Sequence, residues 1–299
     1  MLNWRMNLRS KFLRPMKLQG ALSLLVLLAE CSAKSDIYSE LVQAAKNEDP
    51  EMMKHWIETG MENDESIEEL LCGIGDVLVG AARKGNFRVT ECLLEMGVGN
   101  DRLTEGLSGR IGDALWIAAL SGNLEVVRCL LEAGIRTNNL RLIEGLYSGI
   151  WNALYQAAVN GNFKVAECLL DTGMENDRLA EGLSRAIGDA LYQVATNGDL
   201  EMTRCLLDAG MKDDRLVEGL LRRIGDTLWV AALRGNLCIV KYLVEAIAKN
   251  GRLMEGLSGI MAKLGELAAL SSGSRMAESL SRLLNIEASC HIRSQDMAD

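Results

Sequence analysis

Residues 113–134 have the sequence DALWIAALSGNLEVVRCLLEAG, and this stretch decides the fold. Apolar residues recur at helical spacing on both sides of a central Ser-Gly-Asn, which predicts two short helices joined by a tight turn. Asp113 and Asn123 are suited to begin these helices because their side chains accept hydrogen bonds from free backbone amides. Gly134 is suited to end the second helix in the left-handed conformation. So small a pair cannot bury both apolar stripes alone, so it needs neighbours of the same kind.

The rest of the chain supplies such neighbours. The turn glycines Gly85, Gly122, Gly161, Gly198 and Gly235 are separated by 37, 39, 37 and 37 residues, and one further period back lies Glu48. First helices are predicted to begin at Ser39, Asp76, Asp113, Asn152, Asp189 and Asp226. Second helices are predicted to begin at Asp49, Asn86, Asn123, Asn162, Asp199 and Asn236. Small residues recur before each turn, as in Ala118-Ala119, and would let helices approach closely.

These repeats resemble the ankyrin repeat. The family's Ala-Ala-x-x-Gly, followed by Val-x-x-Leu-Leu-x-x-Gly, is matched at residues 118–134, and the resemblance covers residues 39–245. The family's Thr-Pro-Leu-His is replaced by DALW at residues 113–116, and the period of 37 exceeds the usual length of about 33. The resemblance implies a helical solenoid that recognises proteins through a concave groove.

The extra residues lie between repeats, where ankyrin proteins place a β-hairpin finger. They carry one motif, DRLTEGL at residues 101–107, with close copies at 177–183 and 214–220. Leu103, Leu107 and Ile111 are spaced by four, which favours a helix, although an internal glycine such as Gly106 weakens it by about 1 kcal/mol. Asp101 is a candidate cap for this turn. The predicted fold is therefore all-α: an ankyrin-like helical repeat solenoid with short helical turns in place of the fingers. A three-helix, armadillo-like unit is the alternative.

The sequence divides into four parts. Residues 1–38 form a basic and apolar segment. Basic residues come first, an apolar run follows, and small residues end at Ala33, an order that is typical of a secretory signal peptide. A helix that covers the first repeat and an organelle-targeting segment are the other interpretations. The apolar run is too short for a membrane span, which needs about 20 residues. Six repeats are expected over residues 39–250, a degenerate repeat or cap over 251–286, and a tail over 287–299.

Composition and motifs exclude several classes of function. A net charge of -9 argues against a binder of nucleic acid, which needs a basic face. The eight cysteines form no Cys-x-x-Cys pair and only two histidines accompany them, which argues against zinc. No phosphate loop and no nucleophile-base arrangement is present. We therefore expect no enzyme activity, no cofactor, no metal, no membrane span and a monomeric chain.

Three kinds of residue recur at fixed positions and form ladders along the array. The cysteine ladder comprises Cys92, Cys129, Cys168 and Cys205, and we interpret these as small buried apolar residues, as expected in a reducing compartment. The aromatic ladder comprises Trp116, Tyr155, Tyr192 and Trp229, which either fill the core or anchor a partner. The glutamate ladder comprises Glu105, Glu144, Glu181, Glu218 and Glu255, to which a capping or surface role is assigned.

Positions that differ between otherwise similar repeats are candidates for binding, because stacking does not fix them. The predicted partner-binding residues are Arg83, Lys84, Leu120, Ser121, Val159, Asn160, Thr196, Asn197, Leu233 and Arg234, with Trp116 and Trp229. The residues at the repeat position of Ile117, called the 117 type, should join this surface; they are Gln43, Gly80, Ile117, Gln156, Gln193 and Val230. The predicted function is a cytoplasmic, non-catalytic scaffold or adaptor that binds one or more proteins. A secreted effector acting on host-cell proteins is the alternative.

Overall fold

The computed structural model describes residues 36–62 and 67–255. The predictions for the N-terminal segment up to residue 35 and for residues 256–299 lie outside these ranges. The chain divides into two compact units, Met1–Gly73 and Ile74–Asp299. Every regular element in the described residues is a helix, which confirms the all-α prediction and the replacement of β-hairpin fingers by helical segments.

The described helices are, in chain order, α1 (Asp36–Lys46), α2 (Pro50–Met61), α3 (Ile67–Lys84), α4 (Phe87–Val98), α5 (Asp101–Ser121), α6 (Leu124–Arg136), α7 (Leu140–Val159), α8 (Phe163–Met174), α9 (Asp177–Asn197), α10 (Leu200–Lys212), α11 (Asp214–Leu221), α12 (Ile224–Leu233), α13 (Leu237–Lys249) and α14 (Gly251–Glu255).

The first unit contains α1, α2 and the beginning of α3. Its apolar side chains Leu41, Ile57 and Leu70 are buried. Asp49 begins α2 as predicted: its side chain accepts a hydrogen bond from the amide of Met52, and a proline follows where a missing amide costs nothing.

In the second unit the helices form two layers. The second half of α3 is followed by α5, α7, α9 and the α11–α12 pair in a layer of long helices, and each packs on the next. The short helices α4, α6, α8, α10 and α13 form the other layer. The small paired residues predicted from the sequence lie in the core, since Ala118 and Ala119 are both fully buried.

The predicted starts of the first helices are wrong. In the three central repeats, α5, α7 and α9, the linker and the first helix form one continuous helix of 21, 20 and 21 residues. The caps are the asparagines that precede the linker motif: the side chains of Asn100, Asn139 and Asn176 accept hydrogen bonds from the second and third amides of their helices. The remaining predicted starts, Ser39, Asp76 and Asp226, also lie inside helices.

The aspartates at these positions recur for another reason. Arg110 donates to Asp113 of its own helix at 2.8 Å and to Asp76 of the preceding repeat at 2.9 Å. An equivalent set joins Arg223 to Asp226 at 3.5 Å and to Asp189 at 2.7 Å. The carboxylates therefore serve ion pairs between neighbouring repeats rather than helix caps.

The predicted starts of the second helices are confirmed. The N-cap residues are Asp49, Asn86, Asn123, Asn162, Asp199 and Asn236. The turn glycines before five of them have φ between 71° and 84°, and Glu48 takes the same left-handed conformation at 56°. Left-handed backbone strongly favours glycine, which is why this residue recurs at the turn.

Three of these residues reach into the preceding repeat and form no side-chain hydrogen bond to their own helix, so the cap bond predicted for Asn123 is wrong. The Nδ2 atoms of Asn123, Asn162 and Asn236 donate to the carbonyl oxygens of Ala82, Ala119 and Ala195 at 2.9, 2.9 and 2.7 Å. Each of these carbonyls belongs to the end of the preceding long helix, where it also accepts from the amide of the turn glycine. The turn thus joins neighbouring repeats as well as neighbouring helices.

The prediction for Gly134 is wrong. It lies within α6, which continues to Arg136. Its importance is steric: a Cβ there would lie 2.7 Å from a methyl group of Leu146 in the following linker motif. Gly173 and Gly210 face Leu183 and Leu220 in the same way, each at 2.6 Å. The glycines of α6, α8 and α10 therefore make room for the leucine that the next linker motif inserts.

Candidate protein-binding surface

The predicted binding positions lie at the carboxyl ends of the long helices, one set in each repeat. We call this set, with the aromatic ladder, the helix-end surface; it comprises Arg83, Lys84, Leu120, Ser121, Val159, Asn160, Thr196, Asn197, Leu233 and Arg234 together with Trp116, Tyr155, Tyr192 and Trp229. All of these side chains are exposed or half-buried. Leu120 is 39% exposed and Leu233 is 64% exposed, although both are large and apolar.

The aromatic ladder lies on the same helix faces. Residues four apart in a helix are neighbours on one face, so Trp116 lies beside Leu120 and Trp229 beside Leu233. The four rings are half-buried, with one part packed on the protein and another facing solvent. Tyr155 stacks on Trp151, with ring centroids 5.4 Å apart and planes within 4°. Such rings are already held in place and would lose little conformational freedom on binding.

The residues of the 117 type do not all join this surface. Ile117 and Val230 are buried, at 7% and 8% exposure, so the prediction is wrong for them. Gln156 and Gln193 are half-buried and Gly80 is exposed. Each 117-type residue directly follows a residue of the aromatic ladder in the same helix. It therefore lies on an adjacent face of the helix, where an apolar side chain is turned towards the core.

The linker motif forms an ion-pair ladder that the sequence did not reveal. Two nitrogens of Arg178 donate to the two carboxylate oxygens of Glu144 in the preceding repeat, at 3.0 and 3.1 Å, and the hydrogen bond lowers the pKa of Glu144. Further pairs join Arg141 to Glu105 at 3.8 Å, Arg215 to Asp177 at 2.5 Å and Arg252 to Asp214 at 2.7 Å. Exposed pairs contribute little stability, so the ladder links neighbouring linker motifs without adding much to the free energy of unfolding.

The cysteine ladder lies on the layer of short helices, where Cys92 and Cys168 are buried and Cys129 and Cys205 are half-buried. Burial raises the pKa of Cys129 to about 12, with a further contribution from Glu91, Glu132 and Glu95. The same causes, burial first, raise the pKa of Cys205 to about 11. Among the described residues, no three side chains of metal-binding type cluster closely enough to hold an ion.

The raised pKa values predict which thiols react. Near pH 8, Cys129 and Cys205 should react with iodoacetamide at least about tenfold more slowly than the exposed Cys72 and Cys238, because the thiolate is the nucleophile. The neutral thiol of Cys129 contributes its full stability below its ordinary pKa of 9.0, and this contribution is lost as the pH rises towards about 12. Peptide mass spectrometry of the labelled protein measures the rates.

The control for this experiment is the same labelling in guanidinium chloride, where all four thiols should react alike. Labelling of folded Cys129 as fast as of Cys238 would show that its surroundings do not suppress the thiolate.

Two grooves on the layer of short helices were also not predicted. The first groove lies between α4 and α6 and has a volume of about 840 Å³; the second lies between α8 and α10 and has a volume of about 630 Å³. Phe87 is the first residue of α4 and lines the first groove. Phe163 is the first residue of α8 and lines the second groove. The short helices α6, α10 and α13 begin with leucine instead. This alternation of phenylalanine and leucine at the first helical position was the sequence signal that could have indicated the grooves.

The described helices within residues 36–62 and 67–255 include none that is both long and apolar enough to span a bilayer.

Comparison with known proteins identifies ankyrin repeats in part of the chain. Residues 41–180 match the family model for ankyrin repeats, in three copies. No curated protein matches the sequence. Among solved structures, the chain is similar to a circular tandem repeat protein with novel repeat topology and enhanced subunit contact surfaces. That similarity has 18% identity and a TM-score of 0.28, and it covers 90% of this chain and 64% of the other.

The matched residues include the turn glycines Gly85, Gly122 and Gly161. In the structure these glycines have a left-handed backbone and connect the paired helices. Repeats of this family are modules for protein–protein interaction. Residues 41–180 of the chain are therefore ankyrin-like repeats.

Proposed function

We propose that this protein is a non-catalytic scaffold or adaptor that binds protein partners through the helix-end surface. The observation that supports this most directly is the exposure of Leu120 and Leu233, each next to a half-buried tryptophan on its own helix face. Large apolar side chains that remain in water are favourable to bury in a complex, and aromatic side chains frequently dominate the energy of an interface.

The chemistry of the surface agrees with recognition rather than catalysis. Its side chains are aromatic, aliphatic, amide, hydroxyl, ammonium and guanidinium groups, and the nearby carboxylates of Asp113 and Asp226 are engaged with arginines. The surface recurs from repeat to repeat with different side chains at the helix ends. A fixed framework with variable edge residues is suited to selecting a partner along an extended surface.

The test is a double substitution on the surface, Leu120→Asp with Leu233→Asp. Proteins captured from a native lysate by the unmodified chain should be recovered at least about tenfold less by this variant, because two apolar anchors are replaced by charges. Quantitative mass spectrometry of the captured proteins measures the loss. The far-ultraviolet circular dichroism and the melting temperature should stay unchanged, since both leucines are exposed.

The matched control is Leu140→Asp with Met52→Asp, which adds the same charge at exposed apolar side chains outside the surface. This variant should capture the same proteins as the unmodified chain. Undiminished capture by the Leu120→Asp, Leu233→Asp variant would refute the proposal. A collapse of its melting temperature would instead place the two leucines in the core.

A further inference from the structure

The two grooves lie on the layer of short helices and are separate from the helix-end surface. Each is formed by two successive short helices of 12 and 13 residues. Helices of this length are about 18–20 Å long at a rise of 1.5 Å per residue. The grooves are therefore long enough to hold several turns of another helix.

Small side chains make room for the grooves. In the first, Cys129 and Ala133 are four apart on α6 and lie on one face; in the second, Cys205 and Ala209 occupy the same positions on α10. The opposite wall of the first groove is apolar and includes Val98, which is 39% exposed. The floor thus offers apolar surface that the chain itself leaves partly in water.

The rims of both grooves are acidic. Glu91, Glu95 and Glu125 line the first groove, and none of them forms an ion pair with any residue that the structure describes. Glu167, Asp171 and Glu201 line the second, and the same statement holds for them within the described part of the chain.

Basic residues only partly balance this charge. Arg128 and Arg136 also line the first groove, and Arg136 is already bound to Glu132 at 3.1 Å. Arg204 and Lys212 line the second, where Arg204 lies 5.1 Å from the centre of the Tyr242 ring. The carboxylates raise the pKa of the groove cysteines in addition to the larger effect of burial, as expected of a negative potential.

We propose that each groove binds one basic amphipathic helix of a partner protein. Its apolar stripe would lie on the floor between the two short helices, and lysines or arginines on its flanks would meet the unpaired carboxylates. A helix laid in an apolar groove is a common mode of recognition, and the acidic rim selects a basic one. The proposal goes beyond the scaffold function, because it concerns the opposite layer of helices and a specific class of partner.

The experiment uses the full chain and an 18-residue synthetic helix of leucine and lysine, with leucines along one face, in isothermal titration calorimetry. The unmodified chain should bind about two peptides, one in each groove. Glu91→Lys with Glu95→Lys should leave about one, and the further changes Glu167→Lys and Asp171→Lys should leave none.

The matched control is Glu58→Lys with Glu62→Lys, an exposed pair of glutamates four residues apart that lines neither groove. It changes the net charge equally and should still bind about two peptides. The neutral pair Glu91→Gln with Glu95→Gln keeps the side-chain size and should weaken binding to the first groove at least about threefold. Circular dichroism verifies that each variant is folded.

Several results would overturn the proposal. These are two peptides bound by the Glu91→Lys, Glu95→Lys variant, equal binding of a peptide with glutamate in place of lysine, or no binding of the lysine peptide. Light scattering could instead show that the unmodified chain has twice the mass of a monomer and that the Glu91→Lys, Glu95→Lys variant has the mass of a monomer. This result would identify a second copy of the chain as the occupant of the groove. Loss of lysate capture by Leu120→Asp with Leu233→Asp, combined with intact peptide binding, would separate the two surfaces.

Discussion

Replacing Gly149 with alanine is expected to lower the free energy of unfolding by about 2–3 kcal/mol or more, or to prevent folding. Gly149 lies in α7 where this helix crosses α5, and an added Cβ would collide with the carbonyl oxygen of Gly112. The obstacle is backbone on both sides, so no side chain can rotate away. A Cβ on Gly112 would lie 2.5 Å from the carbonyl oxygen of Gly145, which shows that the crossing is close throughout.

The matched control is Gly109→Ala in α5. No atom lies within 4 Å of a Cβ at this position, and the glycine is exposed within a helix. Alanine favours a helix interior by about 1 kcal/mol over glycine, so this variant should be more stable than the unmodified chain. Chemical unfolding followed by circular dichroism measures both. Similar midpoints for the two variants would refute the interpretation that glycines at the crossing are required sterically.

Replacing Leu146 with alanine is expected to cost about 2–5 kcal/mol. Leu146 is fully buried and fits against Gly134 of the preceding short helix, where the absence of a side chain leaves nothing that could move into the space. The cavity should therefore stay open, which puts the cost in the upper part of the range.

Leu140 of the same helix provides the comparison. It is 76% exposed, and Leu140→Ala should change the free energy of unfolding by less than about 0.5 kcal/mol. The same unfolding experiment measures both leucine variants. A small cost for Leu146→Ala would contradict the packing of the linker motif on the short helices.

The sequence predicted the features that depend on local chemistry. A cap such as Asn86 and a turn glycine such as Gly122 are set by hydrogen bonding and backbone conformation within a few residues, so periodic recurrence identifies them. The exposed helix ends followed from the same periodicity, because residues free to vary are those that stacking does not constrain.

The features that the sequence did not reveal depend on contacts between repeats. Asp113 has the residue type of a cap, and only its neighbour Arg110 and the distant Asp76 show why it lies in mid-helix. Gly112 and Gly149 predict weak helices by local propensity. In the folded chain they allow two long helices to pack backbone to backbone, and this packing offsets the local cost. The grooves follow from the spacing of neighbouring short helices, for which the sequence offers only the alternation of phenylalanine and leucine.

The turn hydrogen bonds make the array directional. In each case the donor belongs to the later repeat and the acceptor to the earlier one, so a repeat is completed by its successor, as with Asn123 and Ala82. The series is interrupted at Asp199, whose side chain accepts from the amide of Met202 and lacks the N–H group with which asparagine donates. At that junction the coupling between neighbours depends on packing and on linker contacts such as that of Arg178 with Glu144.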